Sequence, residues 1–337
     1  MSVKKIVMVS LFLLVLVLGA CSSKEETQSA NGEKEETAKI DYPERLIELI
    51  VPYAPGGSTD IGARILEKYI SKYLPDSQLV IVNKSGGSGT IGMSDVFASK
   101  PDGYTLGITP HSTLTMQPLY GKTKYAHDSF QPIAKVFENQ QILVVKSDAP
   151  WQTFEEWFEY VKNNPDVFTF GVSGGIGSGA HLPIAELEML AGIKVKPVPF
   201  EGTPPAVTAV LGGHVDGAVL QPTDARSLIE TGELRALINV GSTPVPYFPD
   251  IPLLKDKGYD ITYNINTSLF APKDVPQEIV TLLQDAVEQT LNDPEVKAEF
   301  EKANLQLQYG DATLAEQEVN EETAKVTAVL KDLDLIE

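Results

Sequence analysis

Pro55-Gly56-Gly57-Ser58-Thr59-Asp60 lies between an apolar run, Leu46 to Val51, and a stretch whose apolar residues recur at helical spacing. A strand, a glycine turn and a helix start, built in that order, make an anion site. Paired glycines let the backbone turn tightly and approach a ligand. The first N–H groups of a helix have no partner inside it and carry the positive end of its dipole. The pattern returns further on. Phe168 to Val172 reads as a strand, Ser173-Gly174-Gly175-Ile176-Gly177-Ser178-Gly179 as the turn, and His181 to Leu190 as a helix. Two such turns, far apart in one chain, imply two lobes gripping one anion.

Around these turns strands and helices alternate, which predicts α/β layers with parallel strands. The first helix is expected from Asp60 to Leu74, with Ile61, Ile65, Leu66, Tyr69 and Ile70 on its buried face and Ser58 or Thr59 as its N-cap. Strands follow at Leu79 to Asn83 and Thr105 to Thr109, the latter ending in Pro110-His111-Ser112-Thr113. Ile142 to Lys146 carries the chain into the second lobe. Thr153-Phe154-Glu155-Glu156 is a capping-box pattern. Lys194 to Phe200, Gly217 to Leu220 and Leu234 to Val240 read as further strands, with a helix over Pro204 to Leu211. Ser268 to Ala271 is the return crossing. After it only helices are expected, packed on the first lobe. The boundaries are 41–142 plus 263–337 for lobe 1 and 143–262 for lobe 2.

The N-terminus reads as an export segment over residues 1–20. Lys4 and Lys5 precede an apolar run from Ile6 to Leu18, broken only by Ser10. That run is short of the about 20 residues a membrane span needs and suits a signal peptide. Leu18-Gly19-Ala20-Cys21 resembles a bacterial lipobox, which implies cleavage before Cys21 and lipidation of its thiol with palmitate-type chains. Cys21 is the one cysteine, so no internal disulfide forms. Residues 21–40 then form a polar tether. The net charge of −19 argues against nucleic acid as a partner. It also repels anions in bulk, so an anion site here works through local dipoles and short hydrogen bonds.

Two motifs invite other chemistry. Gly87-Ser88-Gly89-Thr90-Ile91-Gly92 fits G-x-G-x-x-G after a strand, but the next strand ends at Thr109-Pro110 without the acid a dinucleotide fold wants. It reads instead as a tight turn lining the cleft. Gly171-Val172-Ser173-Gly174-Gly175 fits the nucleophile elbow G-x-S-x-G, which gives the alternative of a secreted esterase using Ser173 with Glu201 and His214. The surplus glycines suit an anion cradle better. His111, His127, His181 and His214 show no ligand spacing, so no metal or cofactor is expected. His181 stands near a helix start, Asp60 fixes its loop or meets the ligand, and Asp216 and Asp224 are candidates to bond loop N–H groups across the cleft. Trp151 and Trp157 read as core or rim.

Several segments together resemble one family. Val51-Pro52-Tyr53-Ala54-Pro55-Gly56-Gly57-Ser58-Thr59-Asp60 with Arg64, Val82-Asn83-Lys84 and its glycine loop, and Pro101-Asp102-Gly103-Tyr104-Thr105-Leu106 look like the solute receptors of tripartite tricarboxylate transporters, the Bug family. Ser173 through Leu182, Pro199-Phe200-Glu201-Gly202, Gly212-Gly213-His214-Val215-Asp216 and Phe270-Ala271-Pro272 fit as well. The resemblance implies a type II periplasmic-binding-protein fold, two α/β lobes closing on a carboxylate. It implies a receptor rather than an enzyme, a monomer that hands its ligand to a permease of one large and one small integral subunit. The ligand-binding set is then Pro55, Gly56, Gly57, Ser58, Thr59, Asp60, His111, Ser112, Ser173, Gly174, Gly175, Ser178, His181 and Asp224. Lipidation at Cys21 would hold it to the outer face of the cell membrane. One departure is Asn264-Ile265-Asn266-Thr267, where family members often carry a tryptophan.

Overall fold

Leu49, Ile50 and Val51 of the strand before the first glycine turn are each at most 1% exposed, so that turn springs from the middle of a core. The computed structural model describes residues 41–121, 123–332 and 336. The export segment, Cys21 and the tether lie outside the described residues. Strands β1 (Ile47–Val51), β2 (Leu79–Asn83), β3 (Thr105–Pro110) and β4 (Phe130–Asn139) enter one sheet, and β5 (Ile142–Lys146), β6 (Thr169–Ser173), β7 (Lys196–Phe200), β8 (Gly217–Leu220) and β9 (Leu234–Asn239) a second. The chain then returns to the first sheet as β10 (Ile265–Pro272) and β11 (Gln306–Gly310). The spatial orders are β11-β4-β10-β3-β1-β2 and β7-β6-β8-β5-β9.

The expectation of parallel strands holds for half of this architecture. β1 runs parallel to β2 and β3, and β6 parallel to β7 and β8. The crossing strands are antiparallel: β10 against β3 and β4, β11 against β4, and β5 against β8 and β9. β5 and β10, by which the chain enters each sheet from the other, run against the parallel set, whereas β4 and β9, by which it leaves, run with it.

Helices cover the sheets: α1 (Ser58–Tyr69), α2 (Thr90–Ala98), α3 (Ser112–Thr115), α4 (Phe154–Asn163), α5 (Leu182–Ala191), α6 (Thr203–Leu211), α7 (Pro222–Glu230), α8 (Gln277–Asn292), α9 (Pro294–Lys302) and α10 (Ala312–Asp332). α1 lays Ile65, Leu66 and Tyr69 on the first sheet beside Leu49 and Phe137. Burying each such side chain is worth about 1.5–3 kcal/mol. Gly62 is what lets α1 sit so low, because a Cβ there would stand 2.5 Å from Phe137 Cε1. The second sheet has its own cores, one around Trp157, Phe168 and Phe170 and one around Val144, Val210 and Ala218. Trp151 and Trp157 are both core residues.

Three corrections to the sequence reading stand out. β11 interrupts the helical finish; Gln306-Leu307-Gln308-Tyr309-Gly310 is short and polar, an edge strand with only one face covered. The last helix does not pack on the first lobe alone. Its Val319 joins Met93, Leu114 and Phe270 on the first sheet, whereas Val326, Val329 and Leu330 enter the core of the second. Finally, neither Ser58 nor Thr59 caps α1. Gly57 is the N-cap and no side chain caps the helix, because both hydroxyl residues are already helical.

Candidate ligand-binding site

The carboxyl ends of β1, β3, β6, β7 and β8 converge on one cleft, as parallel α/β strands do where ligands bind. Its empty space, open solvent at the mouth included, is about 590 Å³. Asp60 is the one charged residue among those lining it.

The first glycine loop is held by that aspartate. Its Oδ2 accepts from Gly56 N–H at 2.9 Å and from Arg64 Nε at 2.9 Å. Its Oδ1 accepts from Arg64 at 3.0 Å and from Asn83 Nδ2 at 2.8 Å. Burial works to raise the Asp60 pKa, but the Arg64 guanidinium, the Gly56 N–H and the Asn83 amide outweigh it and hold the carboxyl below its ordinary value. Both oxygens are occupied, so Asp60 shapes the loop. Gly56 adopts φ +85° with open space around it, so conformation alone demands glycine there. The first backbone bond of α1 is Ile61 N–H to Gly57 at 2.9 Å. That leaves the N–H groups of Ser58, Thr59 and Asp60 without partners among the described residues, at the cleft wall.

The second loop is held differently. Gly174, Gly175 and Gly177 all have φ between 77° and 84°. Gly174 N–H donates to Phe200 C=O at 2.9 Å, Ser178 Oγ to Ser173 C=O at 2.8 Å, Gln117 Nε2 to Gly177 C=O at 3.0 Å and Gln141 Nε2 to Gly179 C=O at 2.8 Å. The N–H groups of Gly179 and Ala180, which line the cleft, have no partner among the described residues. This loop packs closely against the first half, where a Cβ on Gly175 would lie 2.5 Å from Ser88 Oγ, and so does the turn between β7 and α6, where a Cβ on Gly202 would lie 3.5 Å from Ala54 Cβ.

Of the residues anticipated from sequence, Gly57, Ser58, Thr59, Asp60, Ser112, Ser173, Gly174 and Ser178 line the cleft. The others do not. Pro55 and Gly56 are exposed, and Gly175 lines a separate open pocket with Ser88. His111 is fully buried, its Nε2 against Ser268 Oγ at 2.7 Å, and burial together with the Lys135 charge pushes its pKa down to about 3. His181 lies parallel to Phe170, and burial pushes its pKa down to about 4. Asp224 has a shielded Oδ2 without a partner. Burial pushes its pKa up to about 7, with the Thr203 hydroxyl pulling the other way. Asp216 is bound to Thr169 N–H and Oγ1 at 2.8 and 2.7 Å, at the start of β6 and far from the cleft.

That placement bears on the esterase arrangement. Ser173 ends β6, four residues beyond Thr169 and so about 13 Å along the strand at ~3.3 Å per residue. His214, two residues before Asp216, belongs to the opposite end of the sheet. The Ser173 hydroxyl pairs with Thr203 Oγ1 at 3.0 Å.

Sequence reasoning missed Tyr53, Gln141, Thr203 and Gln221, all of which line the cleft. Tyr53 pairs its hydroxyl with Thr113 at 2.6 Å behind the glycine loops. It also missed that α6 and α7 begin at the cleft, at Thr203 and next to Gln221, so that with α1 three helix starts face it, while α5 begins just behind Gly179 and Ala180.

Two sheets linked by crossing strands, with helix starts aimed into a cleft almost free of charge, define a solute-binding protein of the periplasmic-binding-protein type. The tripartite tricarboxylate transporter family receptor family (TctC) matches residues 63–335, and the chain belongs to it. Periplasmic binding protein BugD is similar at 28% identity and TM-score 0.81 over 88% of this chain and 99% of that one. MatC from Rhodopseudomonas palustris with bound malate is similar at 28% identity and TM-score 0.79 over 86% and 100%. A further R. palustris protein, solved with adipate, is similar at 26% identity and TM-score 0.82 over 88% and 99%. The family's receptors work outside the cytoplasm.

Proposed function

We propose that this chain is the receptor of a tripartite tricarboxylate transporter, capturing a small organic carboxylate between two lobes and delivering it to a permease of one large and one small integral subunit. Lobe 1 is residues 41–142 plus 263–337 and lobe 2 residues 143–262. The observation that carries this is the free N–H groups at Ser58 to Asp60 on one side and at Gly179 and Ala180 on the other, around a cleft with no basic side chain. The bound malate and adipate of its structural relatives support it.

Hydrogen bonds to a charged group contribute about 1.5–3 kcal/mol each, and each helix dipole about 0.3–1, up to ~2 when partly buried. Micromolar affinity needs about 8 kcal/mol, so four or five such contacts suffice once closure excludes water. Each lobe supplies part of the site, so ligand favours the closed state. Catalysis has no part in this reading: Ser173 ends β6 and pairs with Thr203, while His214 belongs to the opposite end of the sheet.

The receptor acts as a monomer tethered to the outer face of the cell membrane through lipid on Cys21. Thermal-shift and calorimetric titration against a panel of organic acids tests the binding. Stabilisation by carboxylates supports it; silence from every carboxylate while another ligand class binds sinks it. Release of a Cys21→Ser variant from the membrane fraction tests the anchor.

A further inference from the structure

Gln141 sits in the two-residue crossover between β4 and β5, is 2% exposed, and lines the cleft. Its Nε2 donates to Gly179 C=O at 2.8 Å. A carbonyl only accepts, so the amide nitrogen must face Gly179 and Oε1 must face away. That Oε1 has no hydrogen-bond partner among the described residues. Gln221 is fixed in the opposite sense. Gln306 N–H donates to Asn139 Oδ1 at 3.2 Å, which orients the Asn139 amide, and Asn139 Nδ2 then donates to Gln221 Oε1 at 2.5 Å. The amide nitrogen of Gln221 is left as a donor at the cleft. The floor therefore offers one free acceptor and one free donor, beside apolar Val219, Leu220 and Ile265.

A carboxylate carries acceptors only. It satisfies the free N–H groups and the Gln221 amide, and it can do nothing for Gln141 Oε1. A closed cleft that leaves this acceptor facing a methylene strands it, the situation in which a polar site rejects an analogue lacking one donor. The acceptor lies next to Gly179, whose own N–H is free for a carboxylate oxygen, so the missing donor belongs near a carboxylate carbon.

We propose that Gln141 Oε1 is a specificity-determining group that selects carboxylates bearing a hydroxyl or amino substituent near the carboxylate over their unsubstituted counterparts. This rests on the carboxylate-receptor reading. The test is calorimetry of the full-length lipoprotein in detergent with matched pairs: L-malate and succinate, citrate and tricarballylate, L-glutamate and glutarate, L-lactate and propionate. The expected result is at least tenfold tighter binding of the substituted member in any pair that binds. In Gln141→Met that ratio falls below threefold, whatever loss both members share from the missing bond to Gly179 C=O. The wild-type ratio decides by itself if the variant fails to fold. Equal or tighter binding of the unsubstituted acids, or an unchanged ratio in Gln141→Met, overturns the inference and leaves the receptor reading intact. Binding of none of these acids while an unsubstituted carboxylate such as adipate binds overturns the inference alone; silence from every carboxylate while another ligand class binds removes the receptor reading, and this inference with it.

Discussion

The two glycine loops present the same chemistry and are held by opposite means. Pro55 to Asp60 needs one positive φ, at Gly56, and is locked by a buried carboxylate that accepts four hydrogen bonds. Ser173 to Gly179 needs three positive φ angles and is locked by backbone bonds, a serine hydroxyl and two glutamine amides. An anion cradle can thus be rigidified by one charged clamp or by many neutral bonds. The first concentrates its dependence in a single residue, and the second spreads it.

The sharpest way to break this contrast is Asp60→Ala. Removing the common acceptor should weaken carboxylate binding by at least ~100-fold, about 2.7 kcal/mol. It should also lower stability by about 2–3 kcal/mol, read by calorimetry and denaturant melts. Unchanged binding would show that the clamp does not organise the loop. Gly175→Ala should cost about tenfold in affinity, since it combines a left-handed φ of 84° with a Cβ 2.5 Å from Ser88 Oγ. Adding Ser88→Ala should recover the steric share and leave the φ share, roughly 1 kcal/mol.

Acid should separate the loops by window. The Asp60 pKa is lowered on folding, so its contribution is present above the unfolded value of about 3.9 and lost as pH falls through the folded one. His181 and His111 are buried neutral, lowered to about 4 and about 3. They withdraw stability as pH falls from about 6.5 towards those values. Melting temperature against pH should lose part of its upper slope in His181→Gln and its lowest limb in Asp60→Asn. The smallest effect is expected for Thr203→Val, which frees the Ser173 hydroxyl and should change affinity about threefold.

Much of this was legible in the chain because glycine and periodicity announce themselves. Strand, turn and helix at both loops fell where the residues put them, as did the Thr153 cap, whose hydroxyl accepts from Glu156 N–H at 3.2 Å. β4 escaped because Pro132 and Lys135 disguise it. Lys135 is fully buried, its charge met by Glu138 at 3.1 Å and by Glu318, distant in sequence, at 2.7 Å. Gln141 and Gln221 carry no motif at all. Their role comes from which amide atom a distant backbone group claims, and no local pattern encodes that. His111 and His181 illustrate the reverse error: residues next to a loop in sequence turned inward, because an uncharged imidazole packs readily.

The final helix gives the hinge a mechanical character. Two covalent crossings alone would let the halves rotate against little resistance. α10 is a rigid strut of about 30 Å at 1.5 Å per residue, with Val319 seated in one half and Val326, Val329 and Leu330 in the other. Any opening must slide or lever one end out of its seat, so the helix acts as a torsion bar. In the closure proposed above, its packing would set how much work the ligand must do to keep the jaws together.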